Sequence, residues 1–226
     1  QELMATLDAS ESTVRRDLNT MDDNGLLTKV HGGAVAKRPS IRTHDENVKS
    51  RKALNAGEKA DIAKYAAALI KPEDFVYLDA GTTTERMIEY IQTTKAVFVT
   101  NAISHAKLLS EKGCRGYILG GEFKSQTEAI VGEEAMETLD KYNFTKGFWG
   151  TNGISVSKGF STPELKEAMV KKKSMANCKK CYVLADASKF DQMSSVKFAD
   201  FEQATIITTE LKKPALKKYK NIVEVK

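Results

Sequence analysis

Several features that would settle a function outright are missing from this chain. Its 226 residues include three cysteines, an odd and small number that argues against a disulfide framework and fits a reducing cytoplasm. Cys178-Lys-Lys-Cys181 has Cys-x-x-Cys spacing, but no second pair accompanies it, and His31, His44 and His105 are far apart in the chain. Two incidental thiols between a helix and a strand are expected there, and neither a metal nor a cofactor. No apolar run approaches the ~20 residues that cross a bilayer, and the first residues show no secretory pattern. A cytoplasmic protein without a membrane partner is the expectation.

An excess of basic charge at the N-terminus is missing too. The net charge is +5, yet residues 1–38 hold five basic and six acidic side chains. Bulk charge therefore identifies no DNA-binding segment, and local pattern must do so.

The most informative stretch runs from Val76 to Tyr90. Phe75–Leu78 is a short run of β-formers bounded by turn residues, so it reads as a buried strand. Asp79-Ala80-Gly81 breaks it, and Thr82, Thr83 and Thr84 lead into a helix with Met87, Ile88 and Ile91 at helical spacing. Strand, small-residue loop and helix start make an anion site: amides point outward unpaired, the helix N-terminus is partly positive, and Gly81 permits close approach. Asp79 suits a sugar hydroxyl. The loop is neither Gly-x-x-x-x-Gly-Lys-Ser/Thr nor Gly-x-Gly-x-x-Gly. Read alone, it also fits an ordinary β-to-α turn capped by threonines.

Residues 1–36 read as a partial winged helix-turn-helix. Glu2–Leu7 looks like the end of a helix, Asp8-Ala9-Ser10 like a turn, and Ser10 like an N-cap. Val14, Leu18 and Met21 predict one buried stripe on Glu11–Met21, with Gly25 ending the helix. Leu26–Val30 reads as a strand, His31-Gly32-Gly33 as a tight turn, and Ala34-Val35 as a return strand. In such a unit the second helix enters the major groove. Arg15 and Arg16 suit guanine or phosphate, Ser12 and Thr13 are short polar readers, and Lys29 and His31 on the wing suit the backbone. A small helical hairpin with a solvated polar face fits the same pattern.

Residues 37–55, polar and containing Pro39, read as a linker, partly helical near Asp45–Leu54. Over 56–226, apolar strands alternate with helices: Phe75–Leu78, Val97–Thr100, Gly116–Leu119, Gly147–Gly150, Tyr182–Ala185, Thr205–Thr208 and Ile222–Val225 as strands; Glu58–Ile70, Thr84–Ile91, Ile103–Lys112, Glu133–Tyr142, Glu164–Asn177 and Ala215–Tyr219 as helices. This predicts an α/β domain whose mostly parallel sheet carries helices on both faces. Ligands bind beyond the carboxyl ends of such strands. Polar and small residues gather at those ends: Asp79–Thr84, Thr100-Asn101, Gly120-Gly121, Thr151-Asn152-Gly153 and Asp186–Phe190. Lys171 and Lys189 are candidates for phosphate charge. The lysine runs 171–173 and 212–220 read as solvated faces.

Ser-Glu-Ser-Thr-Val-Arg-Arg-Asp-Leu, Gly25-Leu26-Leu27 and His31-Gly32-Gly33-Ala34 resemble the helix-turn-helix signature of DeoR-family bacterial regulators. That family's domain begins with a further helix upstream, so the resemblance implies a DNA-binding unit entered part-way. Asp79-Ala-Gly-Thr-Thr-Thr84, Thr100-Asn101, Gly120-Gly121, Gly132-Glu133, Gly150–Ser155, Glu167-x-x-x-Lys171 and Leu184–Phe190 resemble its effector domain, a relative of sugar-phosphate isomerases and deaminases. The resemblance implies a repressor, homo-oligomeric by family habit, whose affinity for operator DNA changes when a phosphorylated sugar binds. Carried over residue by residue, the pocket would hold Asp79, Gly81, Thr82, Thr83, Thr84, Thr100, Asn101, Gly120, Gly121, Gly150, Lys171, Asp186 and Lys189. Phe160-Ser-Thr-Pro163 and Thr-Asn-Gly-Ile-Ser are most similar to fructose-operon repressors of the family, which implies fructose 1-phosphate.

Two rivals remain. An isomerase or deaminase on the same fold would need a general base beside a carbonyl, with Glu128, Glu167 and Asp79 available. A binding module without DNA function would use the N-terminal piece for dimerisation.

Overall fold

The computed structural model describes residues 2–23, 27–36, 41–44 and 47–225, in two compact units, Gln1–Ser40 and Ile41–Lys226. The expected features at Gly25, Leu26, Pro39 and Asp45 lie outside the described residues.

The first unit has helices α1 (Glu2–Leu7) and α2 (Glu11–Asp23) followed by strands β1 (Leu27–Val30) and β2 (Gly33–Ala36). Ser10 caps α2, its Oγ accepting from the Thr13 N–H at 3.3 Å. The strands pair antiparallel from Leu27↔Ala36 to Val30↔Gly33. The turn is His31-Gly32, and Gly32 takes a positive φ of 80°, which a side chain would disfavour. The expected buried stripe is only partly realised. Val14 and Leu18 are half-buried, and Met21 is 45 % exposed. Two short helices and a ribbon offer too little surface to enclose it.

The second unit opens with β3 (Ile41–Arg42), α3 (Val48–Ala53) and α4 (Ala56–Ala68). Then follow β4 (Phe75–Leu78), α5 (Thr82–Tyr90), β5 (Val97–Thr100), α6 (Ile103–Glu111), β6 (Arg115–Ile118), β7 (Glu122–Lys124), β8 (Ala129–Val131), α7 (Glu133–Leu139) and β9 (Lys146–Gly150). β10 (Gly153–Ser155), β11 (Gly159–Thr162), α8 (Leu165–Ala176), β12 (Cys181–Leu184), β13 (Met193–Ser194), β14 (Val196–Ala199), β15 (Thr205–Thr208) and β16 (Ile222–Glu224) complete it.

Seven strands form one parallel sheet in the order β16-β15-β12-β9-β4-β5-β6. Alternation along β4 divides its side chains between two cores. Val76 and Leu78 pack with Ile62, Ala66, Met87, Ile88 and Leu109 of α4, α5 and α6. Tyr77 packs on the other face with Trp149, Ala135, Val170 and Met175 of β9, α7 and α8. Trp149 lies over Gly147, where a Cβ would stand 2.1 Å from the indole; it donates from Nε1 to Ser174 Oγ at 3.0 Å.

Four expectations are corrected. The stretch 41–55 is not a linker throughout: β3 pairs in parallel with β13, and α3 is capped by Asn47. An antiparallel sheet β10-β11-β14 and a hairpin β7-β8 were not foreseen, because strands of three or four residues carry too little alternation to register. The helix expected over Ala215–Tyr219 is a single 3₁₀ turn, Pro214–Leu216, started by its proline. Nor is the lysine run 171–173 a solvated face, since Lys171 is buried against Asp79 and Lys173 pairs with Asp140.

Candidate functional site

The sheet order reverses beside β4. From there β5 and β6 run to one side, and β9, β12, β15 and β16 to the other. At such a switch point, connections leave the strand ends in opposite directions and a crevice opens between them. A cleft of about 270 Å³ lies here, below the ~300 Å³ lower end for drug-sized ligands and so suited to a small one. Ala80–Thr83 form one wall, Gly150–Asn152 another, and Asp186, Ser188 and Lys189 a third. Glu167 and Lys171 of α8, Thr127 of the β7–β8 hairpin, and Arg42, Arg51, Asn55 and Lys59 close it.

Of the residues singled out from sequence, Gly81, Thr82, Thr83, Gly150, Lys171, Asp186 and Lys189 line this cleft. The others do not, for identifiable reasons. Asp79 is 1 % exposed and its Oδ2 is taken by the Lys171 ammonium and by the Gly150 N–H at 3.2 Å. It anchors the floor and is not open to a sugar hydroxyl. Thr84 Oγ1 turns inward to Asp79 O (2.7 Å), Gly81 O (2.9 Å) and His105 Nε2 (3.1 Å). Asn101 braces the loop: its Oδ1 accepts from the Ala80 N–H at 2.8 Å and its Nδ2 donates to Ile130 O at 3.2 Å. Thr100 Oγ1 accepts from the Ala102 N–H at 3.1 Å. Gly121 belongs to the hairpin packing, where a Cβ would stand 2.6 Å from Val131 O, and Gly120 precedes it on an exposed turn. Strand-end position was the signal for these six, but a strand end has two faces and only one meets the cleft.

The residues missed were Arg42, Arg51, Asn55 and Lys59, which lie upstream of the first sheet strand, together with Thr127; Thr151, Asn152, Ser188 and Glu167 stood in the expected rim and helix motifs but were not assigned to the pocket. The Glu167-x-x-x-Lys171 spacing puts two charges on one face of α8 and was the available signal for that pair.

The electrostatics leave positive charge in excess. Complete burial pushes the Asp79 carboxyl up, against the pull of Lys171 and the Gly150 amide. Burial also raises Glu167, but Lys171, with hydrogen bonds from Thr127 (2.5 Å) and Lys124 (2.9 Å), outweighs it and holds that carboxyl below its usual range. Asp186 Oδ1 accepts from Asn55 Nδ2 at 3.1 Å and from the Ser188 N–H at 3.0 Å. The acidic groups are thus engaged. Among the described residues, the Lys189 ammonium and the Arg51 guanidinium have no acidic partner, and Arg51 Nε is buried without a hydrogen bond. The first amides of α5 have no intrahelical partner, and the Thr82 and Thr83 hydroxyls make no hydrogen bond with the described chain. Burial drives His105, behind this wall, down to about 3, so it is neutral at pH 7.

In the first unit, Arg15 and Arg16 project from α2 with their side chains more than two-thirds exposed. Arg15 Nη2 donates to Glu11 Oε1 at 2.6 Å, and Arg16 lies 3.9 Å from Asp17. The Ser12 and Thr13 hydroxyls lie 2.9 Å from Ser10 Oγ, in the cap of the helix. Lys29 Nζ donates to Asn19 Oδ1 at 2.5 Å, tying wing to helix, and His31 stands exposed at the wing tip.

Comparison with known proteins decides the family. Residues 1–40 match the model of the DeoR-like helix-turn-helix domain, and residues 54–210 that of the DeoR C terminal sensor domain. The chain belongs to the DeoR family. Similar proteins include the uncharacterized HTH-type transcriptional regulator FruR of Bacillus subtilis (strain 168), 43 % identical over all of this chain and 90 % of its own length. The HTH-type transcriptional regulator IolR of the same strain is 32 % identical over 92 % of this chain and 82 % of its own. The lactose phosphotransferase system repressor of Staphylococcus aureus (strain NCTC 8325 / PS 47) is 33 % identical over 99 % and 91 %. Among solved structures, ribose 5-phosphate isomerase A of Methanocaldococcus jannaschii aligns at a TM-score of 0.45 with 17 % identity, over 60 % of this chain and 55 % of that one. As a DeoR-family transcriptional regulator, the chain pairs a helix-turn-helix DNA-binding domain with an α/β sensor domain, and among the described residues no helix is long and apolar enough to cross a membrane.

Proposed function

We propose that this DeoR-family regulator is a repressor of a sugar-utilisation operon, and that a phosphorylated sugar in the switch-point cleft controls its affinity for operator DNA. One observation carries the ligand class. The unpaired amides of α5, the free Thr82 and Thr83 hydroxyls and the unpaired Lys189 and Arg51 charges meet around one small cleft. That set stabilises a compact dianion. Engaged polar groups such as Asn55, Asn152 and Asp186 supply partners for hydroxyls. A relative named as a lactose phosphotransferase system repressor supports a sugar operon, and fructose 1-phosphate, which the sequence resemblance implies, is the first effector to test. Ligand binding shifts the protein between states only by its difference in affinity for them. The states we propose differ in how two helix-turn-helix units of a homo-oligomer meet their half-sites, with Ser12, Thr13, Arg15 and Arg16 at the bases and Lys29 and His31 at the backbone.

The isomerase reading needs a base ready to take a proton. Asp79 is bound to Lys171, and Glu167 is held ionised by three donors and cations, so neither is poised for that work.

A thermal-shift panel tests the reading: fructose 1-phosphate, fructose 6-phosphate, tagatose 6-phosphate, glucose 6-phosphate, free fructose and inorganic phosphate. A ligand at a hundred times its dissociation constant adds ~2.7 kcal/mol, a rise of roughly 5–10 °C for a chain this size. A rise with a sugar phosphate and none with free fructose supports the sensor. A flat panel overturns it.

A further inference from the structure

The opening stretch of the second unit has an unusual construction. It runs from β3 at Ile41, the residue after the first unit ends, to Asn55 at the start of α4. Among its described residues only Val48 is a buried apolar side chain, while Ile41 and Leu54 are 58 % and 50 % exposed. Polar contacts hold it instead. β3 and β13 pair through two residues each, Lys52 pairs with Glu85 at 2.8 Å, Asn55 reaches Asp186, and Lys59 Nζ donates to Arg51 O. A segment with so little buried apolar contact belongs to the low-stability end of a fold.

Arg51 lies where this weak docking is least favourable. It lines the cleft, and it also lines the small cavity that shares Ala80, Gly81, Thr82 and Thr127 with it, at the first turn of α5. Its guanidinium makes no ion pair among the described residues and its Nε is buried and unpartnered, although Glu85 and Glu128 also line that cavity. A buried donor left without an acceptor is satisfied when an anion lies within its reach.

We propose that Arg51 is an effector-binding residue, and that the strap 41–55 is the element that reads whether the cleft is filled. A phosphate at the start of α5 accepts hydrogen bonds from the Thr82 and Thr83 side and from the Arg51 guanidinium at once. This supplies the partner that Arg51 Nε lacks and clamps α3 onto the cleft. The strap is contiguous in the chain with the DNA-binding unit, so its docking is the quantity the ligand changes. This rests on the cleft being the effector site; the sequence resemblance pointed to strand-end residues and to none in this strap.

The test uses the full chain, the four sugar phosphates of the panel, and the variants Arg51→Gln, Arg51→Lys and Lys52→Gln. Calorimetry gives each affinity, and hydrogen exchange follows residues 41–55 with and without the tightest-binding sugar phosphate. Loss of one charge-assisted contact weakens binding about tenfold or more. Arg51→Gln is expected to do so without lowering the melting temperature of the free protein. Arg51→Lys retains part of the affinity, and Lys52→Gln, which loosens the strap outside the cleft, loses less than Arg51→Gln. Ligand slows exchange over 41–55 in the wild-type chain and leaves Arg51→Gln unprotected there. Arg51→Gln binding within about twofold of wild type, or exchange over 41–55 that ligand does not slow, overturns the proposal. If no sugar phosphate binds the wild-type chain, the sensor reading falls first and this one with it.

Discussion

Replacing Lys171 by Met is the sharpest probe of the cleft floor. The Lys171 and Asp79 side chains are 6 % and 1 % exposed, so neither charge can borrow much solvation from water. Removing the ammonium strands the carboxylate, and breaking a buried pair from one side costs about 3–5 kcal/mol. The structure also sets a ceiling, because Asp79 can escape by taking a proton. Protonating a carboxyl of ordinary acidity, near 3.9, costs about 5 kcal/mol at pH 7.5 and about 2 kcal/mol at pH 5.5. The stranded Asp79 has a folded-state value raised above the unfolded one, so the native state binds the extra proton and stability falls as pH rises. The penalty of Lys171→Met is therefore expected near its full size at pH 7.5 and to fall to roughly half to two-thirds of it at pH 5.5. Adding Asp79→Asn removes both charges; the double variant is expected within about 1 kcal/mol of wild type and to lose the excess pH dependence. Trp149 is the single tryptophan and is buried in the second unit, so its fluorescence during urea unfolding reports on the unit that holds the pair. A loss in Lys171→Met that is the same at both pH values, or no loss at all, would refute the reasoning.

Three other outcomes are expected. His105 is neutral down to about 3 in the fold, while in the unfolded chain it titrates near 6.5, so stability is lost as pH falls between those values, by up to ~1.4 kcal/mol per pH unit. His105→Gln flattens that part of the stability curve, and equal slopes in both proteins would count against a neutral native histidine. Thr82→Ala combined with Thr83→Ala weakens sugar-phosphate binding in calorimetry about tenfold or more, since both hydroxyls face the cleft unengaged; unchanged affinity removes the phosphate from the start of α5. Arg16→Ala, on an exposed face of α2, lowers operator affinity and sequence preference in a gel-shift titration with a stability change within about 0.5 kcal/mol, and normal affinity and preference would move DNA recognition elsewhere.

Much of this protein was legible one residue after another. The β-formers of Phe75–Leu78 and Val97–Thr100 gave strands with the expected ends, since a buried parallel strand needs an unbroken apolar run and breaks where small polar residues begin. The order of the Asp79–Thr84, Glu167–Lys171 and Leu184–Phe190 pieces pointed to the family that the comparisons established. Ser10 and the His31-Gly32 turn likewise act through neighbours a few residues away, and such effects are written locally.

What stayed hidden was set by contacts between distant segments. Asp79 and Lys171 are 92 positions apart, and only the folded sheet turns one carboxylate to the floor while Gly81 and Thr82 open to the cleft. Asn101 and Thr84 carry the residue types of a ligand site, yet the tertiary structure spends their hydrogen bonds on bracing the loop. The strap 41–55 reads as linker because its composition is polar. Its place over the cleft follows from pairing with β13 and from Asn55 reaching Asp186, 131 positions away. Local propensity and periodicity thus determined the elements and the family. Which side of each strand end meets the ligand, and which charges remain unpaired there, depended on long-range packing that no window of sequence contains.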